Sequence, residues 1–119
     1  MNITIYHNPD CSKSRQTLEI LELRGIQPRI VEYLSQPPDA QTLLRLAAAL
    51  ELPLAELLRK SEDDFKAAED SLALNDDAAL AAWLHDHPRV LQRPIVVDED
   101  QNRAVIGRPP QNVLEIIQK

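Results

Sequence analysis

The sequence holds a single cysteine, Cys11, and that scarcity removes several kinds of chemistry. One thiol forms no internal disulfide and supplies too little sulfur for a thiolate-rich zinc site. No stretch approaches the roughly 20 apolar residues that a membrane span needs. The opening Met1-Asn2-Ile3-Thr4-Ile5 lacks the basic region and long apolar run of a signal peptide, so a cytoplasmic location is expected. Aromatic residues make up only 3% of the chain, which leaves Leu, Ile, Val and Ala to fill a core. No run of Lys and Arg offers a basic patch, and the formal net charge is −6, so a nucleic-acid partner is not expected. The same field repels anions, so any anion site must be built from local cations and backbone amides.

What remains is enough for one ordinary domain over residues 1–119, with hydrophobic residues at 44%. Ile3-Thr4-Ile5-Tyr6 has the β-branched and aromatic character of a strand, and His7-Asn8-Pro9-Asp10 has turn chemistry. From Ser12 to Arg24 the pattern is helical, with Gly25 at its C-terminal end, and Ile30-Val31-Glu32-Tyr33 reads as a second strand. After Pro37-Pro38, Leu43, Leu46, Ala47 and Leu50 recur at helical spacing behind a capping Asp39. A short helix from Pro53 is expected to reach Arg59. Another, capped by Asn75 or Asp76, is expected to turn Leu80, Trp83 and Leu84 inward and stop at Pro88. Ile95-Val96-Val97 and Ala104-Val105-Ile106 form a hairpin, and a last helix carries Val113, Leu114 and Ile117. The order predicts an α/β, thioredoxin-like (glutaredoxin-like) fold. Its mixed four-stranded sheet takes residues 38–88 as a helical insertion.

A lone cysteine is more often a buried hydrophobe than a nucleophile. Cys11, however, follows a strand and a Pro-containing turn and immediately precedes a helix, where partial positive charge and free N–H groups stabilise a thiolate. Lys13 and Arg15 add cations in the first turn, His7 lies across the loop, and Asp10 works in the opposite direction. A free thiol titrates near about 8.5, and lowering that to about 6.5 makes most of it thiolate at neutral pH. Cys11-Ser12-Lys13-Ser14 is a C-x-x-S pattern, so no second thiol resolves a mixed disulfide and the reducing equivalents come from outside the chain.

Arg59, Arg93 and Arg108 stand in loops, the last two directly before prolines. Each alone reads as a solvated surface residue. Together they suit a tetrahedral oxyanion, which guanidinium groups bind through paired hydrogen bonds. His85 and His87 point to different helix faces, and no metal site is assigned. Trp83 reads as packing, and Glu62-Asp63-Asp64 as a solvated face.

Four segments now carry a resemblance. His7-Asn8-Pro9-Asp10-Cys11-Ser12-Lys13-Ser14-Arg15, Leu57-Leu58-Arg59, Arg93-Pro94-Ile95-Val96 and Gly107-Arg108-Pro109-Pro110 together resemble the glutaredoxin-dependent arsenate reductase family, from Asn2 to about Ile117. The resemblance implies that Cys11 attacks arsenate and that Arg59, Arg93 and Arg108 hold the oxyanion. It also implies that His7 assists the cysteine and that Ser14 hydrogen-bonds the thiolate. Glutathione is implied as co-substrate, glutaredoxin as the partner that removes it, and no bound cofactor is implied. Pro94 falls where thioredoxin-like folds place a cis proline. The chain departs from the family pattern at Ser12-Lys13, where Gly-Thr is usual. His7 also has a simpler reading as a hydrogen bond within its own turn.

Two other functions fit the same residues. One is a thiol oxidoreductase acting on another oxyanion or on protein thiols. The other is a regulator like the Spx type, which shares this fold and binds RNA polymerase but typically carries the C-x-x-C pair missing here.

Overall fold

The computed structural model describes residues 1–117, so the last two residues of the expected domain lie outside the described residues. In chain order the elements are β1 (Ile3–His7), α1 (Ser12–Leu23), β2 (Arg29–Glu32), α2 (Ala40–Leu50), α3 (Asp63–Ala68), α4 (Asp77–Asp86), β3 (Ile95–Asp98), β4 (Arg103–Ile106) and α5 (Leu114–Ile117). Short 3-10 turns occupy Leu54–Leu57, Glu69–Ser71, Pro88–Val90 and Pro110–Val113. The chain divides into two compact units, Met1–Gln36 with Arg93–Lys119 and Pro37–Gln92.

The first unit is built on a four-stranded mixed sheet in the order β2-β1-β3-β4, the thioredoxin-like arrangement that the element order predicts. β1 pairs parallel with β2 and antiparallel with β3, and β3 pairs antiparallel with β4. A parallel pair needs a crossover, and α1 supplies it. Ile5 faces Ile30 on one side and Val96 on the other, so the two central strands share one apolar row. Both central strands are buried along their full length, whereas the edge strand β2 buries only Val31. Ile3, Ile5, Leu21, Val96, Val113, Ile116 and Ile117 form the core that fixes α1 and α5 on the sheet.

The ends of α1 follow from local chemistry. At the C-terminus Gly25 takes φ +77°, a left-handed conformation that costs glycine little. Its N–H donates to the Glu22 carbonyl and the Ile26 N–H to the Leu21 carbonyl, each at 3.0 Å, which closes the last turn. At the N-terminus the capping position is Cys11, with extended backbone and no side-chain cap. The first-turn amides are therefore not taken by a capping oxygen.

In the second unit, α2 buries Leu43, Leu46, Ala47 and Ala49 and packs against α4, which buries Leu80, Ala81 and Leu84. Asp39 accepts the Thr42 N–H at 2.8 Å and Asp76 the Ala79 N–H at 3.1 Å, so both helices start at side-chain caps. The sequence places Trp83 inward with Leu80 and Leu84. The indole is instead half-buried and stacked on the His87 ring, with centroids 4.3 Å apart. The helix from Pro53 ends at Leu57; beyond it Leu58 bridges Leu91 and the Gln92 N–H donates to the Leu57 carbonyl at 2.8 Å. Residues 63–68 form a helix despite weak patterning, because one large apolar side chain, Phe65, is fully buried.

Candidate active site

The site in the sheet unit starts where β1 ends. His7 and Asn8 are buried, and the loop after them folds back on itself. The Asn8 side-chain oxygen accepts the Asp10 N–H at 3.0 Å, and the Asn8 carbonyl accepts the Cys11 N–H at 3.0 Å. Arg15 reaches back from α1 and donates to the Pro9 carbonyl at 2.9 Å. These bonds leave Cys11 half-buried at the entrance of α1.

The Cys11 thiol lies below its ordinary pKa. Burial is the largest single influence and pushes it up. It is outweighed by the backbone N–H groups of Ser14 and Lys13, a hydrogen bond from the Arg93 side chain and the charge of Arg108. All four favour the anion, because donors and cations stabilise a thiolate more than a thiol. Arg108 Nη2 stands 3.5 Å from Cys11 Sγ, and Arg108 Nε donates to the Arg93 carbonyl at 2.7 Å. One arginine thus contacts both the nucleophile and the backbone of the other arginine.

Both arginines precede cis prolines. The Arg93–Pro94 peptide is cis, at the position marked by the resemblance, and so is Arg108–Pro109, which the sequence reading does not anticipate. The Gly107 N–H donates to the Pro94 carbonyl at 2.9 Å. A Cβ at Gly107 would lie 2.5 Å from Thr17 Oγ1 and 2.8 Å from Pro94 Cγ, so only glycine fits there. Thr17 is itself buried, with its hydroxyl on the Lys13 carbonyl at 2.8 Å.

Ser14 has no exposed surface, and its hydroxyl is already engaged. It accepts the Asn8 N–H at 3.0 Å and pairs with His7 Nδ1 at 2.6 Å. The part of Ser14 that favours the thiolate is its backbone N–H rather than its hydroxyl. His7 thus bonds the hydroxyl of the residue whose backbone N–H favours the thiolate. Its pKa is lowered by burial, with Arg15 adding to that and Glu32 and Glu22 opposing it, so the ring is neutral at neutral pH. With the Asn8 N–H on the serine oxygen, the serine hydrogen is free to point at Nδ1 when the ring proton sits on Nε2.

Arg59 belongs to the other unit. There its N–H bonds the Val90 carbonyl, and its Nη1 lies 3.8 Å from Glu62 Oε2. Asn112, which the sequence reading passes over, donates from Nδ2 to the Ile106 carbonyl at 3.2 Å and the Arg108 carbonyl at 3.0 Å. Among the described residues no three His, Cys, Asp or Glu side chains are grouped to hold a metal ion. Among the described residues no helix is long and apolar enough to cross a membrane. The sheet unit thus offers a thiolate with two guanidinium groups and two backbone donors. That arrangement suits attack on, and retention of, a small oxyanion.

The chain is similar to known proteins over nearly its whole length. The model of the ArsC family matches residues 6–116. An Escherichia coli (strain K12) protein named only as uncharacterized protein YfgD is 44% identical over 116 residues, covering 97% of this chain and 96% of that protein. An arsenate reductase of Haemophilus influenzae is 40% identical over 119 residues, covering 98% of this chain and 100% of that one. The solved structure of an arsenate reductase from Vibrio cholerae superposes with a TM-score of 0.91 at 42% identity, covering 98% of each chain. The chain belongs to the ArsC family.

Proposed function

We propose that this protein reduces arsenate to arsenite, with Cys11 as the nucleophile and glutathione and glutaredoxin as the source of electrons. The observation that carries the reading is the thiol itself, with Arg108 Nη2 3.5 Å from its sulfur and the Arg93 side chain also favouring its anion. The name of the Haemophilus influenzae relative supplies the substrate.

In this reading the Cys11 thiolate attacks arsenic(V) and an arsenate oxygen leaves as water after protonation. Arg93 and Arg108 neutralise the remaining oxyanion charge, and Arg59 joins them on the sequence resemblance alone. A glutathione thiol then displaces a second oxygen as water and forms a second arsenic–sulfur bond. Glutaredoxin's thiolate attacks the glutathione sulfur, that arsenic–sulfur bond breaks, and its electron pair stays on arsenic. Arsenic falls from (V) to (III), the two thiols become one mixed disulfide, and water releases arsenite from Cys11. No cofactor is bound at any step. A cytoplasmic location suits the glutathione requirement.

His7 and Ser14 serve this cycle by fixing the loop and the first-turn amides that face the sulfur. The test is NADPH oxidation in an assay of arsenate, glutathione, glutaredoxin and glutathione reductase. The rate is expected to need both Cys11 and glutaredoxin, and to vanish in Cys11→Ser because a hydroxyl is far less nucleophilic at neutral pH. A Cys11→Ser protein that turned over arsenate as fast as wild type would remove the mechanism. A folded wild type with a reactive thiol but no turnover would favour another oxyanion or a protein thiol as substrate.

A further inference from the structure

We infer that Asn112 is the positioning residue that holds Arg108 against the Cys11 sulfur, by clamping the backbone on both sides of Gly107. The inference rests on the proposed reaction only for its consequence in turnover. Its geometry stands alone.

Arg108 lies between β4 and the Pro110–Val113 turn, outside any regular ladder. Its guanidinium nevertheless makes two specific contacts, to the Arg93 carbonyl at 2.7 Å and to Cys11 Sγ at 3.5 Å. A long, exposed side chain keeps such a geometry only if its own backbone is fixed, since each free torsion costs entropy to hold. The Asn112 amide supplies two ties. Nδ2 carries two hydrogens, one for the Ile106 carbonyl and one for the Arg108 carbonyl. The amide cannot be reversed, because its oxygen would then face two carbonyl oxygens.

Between those tied residues, Gly107 sits so tightly on Thr17 and Pro94 that it has no room for a Cβ. The segment is therefore pressed onto α1 at its middle and held by Asn112 at either side. Neither Asn112 side-chain hydrogen bond goes to the sulfur or to Arg93. It acts through Arg108.

That mode of action has a distinct signature. With one cysteine in the chain, the alkylation rate of Cys11 by iodoacetamide against pH reports its pKa directly. Asn112→Leu keeps the approximate size of the side chain and removes both donors. It is expected to raise the apparent pKa by about half a unit, the effect of doubling a screened 3.5 Å charge separation, and to slow alkylation near pH 6 about threefold. In an Arg108→Ala background the same substitution is expected to add nothing, because the residue it acts through is gone.

Asn112→Ser, a smaller change that cannot span both carbonyls, is expected to behave alike and covers the case in which the leucine variant does not fold. A folded variant with an unchanged pKa, or a shift that persists without Arg108, would overturn the inference. Arsenate turnover measured beside it separates the two claims. A wild type that shows this coupling but no turnover contradicts the proposed reaction, not the role of Asn112.

Discussion

The two units use polar side chains for different ends. In the Pro37–Gln92 unit, Asp39 and Asp76 cap α2 and α4, and the aliphatic faces of those helices meet in a conventional core. The sheet unit also packs an aliphatic core, yet its polar side chains converge on one loop-to-helix junction. His7, Ser14 and Asn8 are buried together there, and Arg93 and Arg108 face the sulfur. Even the capping position of α1 differs. A carboxylate would satisfy the first-turn amides, but the chain places Cys11 there, and Ser14 and Lys13 direct their N–H groups at the thiol. One unit uses its caps for stability, and the other leaves a helix end available for chemistry.

The widest expected gap between the units comes from the arginines. Arg93→Ala and Arg108→Ala should each lower kcat/KM for arsenate by about 10²–10³-fold, the usual cost of removing one preorganised donor to a developing oxyanion. Both should raise the Cys11 pKa while leaving the melting temperature nearly unchanged, since neither side chain belongs to the core. Leu80→Ala reverses the pattern. Removing a side chain only 1% exposed should cost about 3 kcal/mol in denaturant unfolding, with the alkylation pH profile of Cys11 unmoved.

A smaller effect links the thiol to folding. Because the folded-state pKa of Cys11 is depressed, its stabilising contribution is fully present above the unfolded thiol value near about 8.5. It is lost as pH falls through the lower folded value. Wild type should therefore gain stability over Cys11→Ser on going from pH 6 to pH 9, measured by urea unfolding at both. Equal differences at the two pH values would mean that the helix end does not favour the anion.

The smallest effect belongs to the helical unit. Glu51 closes α2 with φ 58°, and its N–H and that of Leu52 bond the carbonyls of Ala48 and Ala47 at 3.0 and 3.1 Å. Glu51→Gly should add about 1 kcal/mol in thermal unfolding, because glycine adopts that conformation without the side-chain clash. Thiol reactivity should not change.

Most of the fold is legible in the sequence because each element has a local cause. Leu43, Leu46, Ala47 and Leu50 repeat at helical spacing, Asp39 sits at the helix start, and Ile95-Val96-Val97 has strand character. The helix at 63–68 is not legible, since a single Phe65 sets no period. At the site, Cys11 before a helix and arginines before prolines are readable as chemistry. The pairing of His7 with Ser14 is not, because a serine hydroxyl has several possible partners and only the folded loop gives it to His7 and Asn8. Asn112 escapes for a similar reason. Its acceptors are backbone carbonyls, which leave no mark in a sequence.

The most direct test of the central claim is the arsenic itself. Arsenate is incubated with glutathione and glutaredoxin and either wild type or Cys11→Ser, and the oxidation state of the dissolved arsenic is then determined chromatographically. Arsenite accumulating over many turnovers per wild-type molecule, and staying at background with Cys11→Ser, is the predicted result. Arsenite at background in both, while the wild-type thiol remains open to alkylation, would contradict the assignment of this site to arsenate.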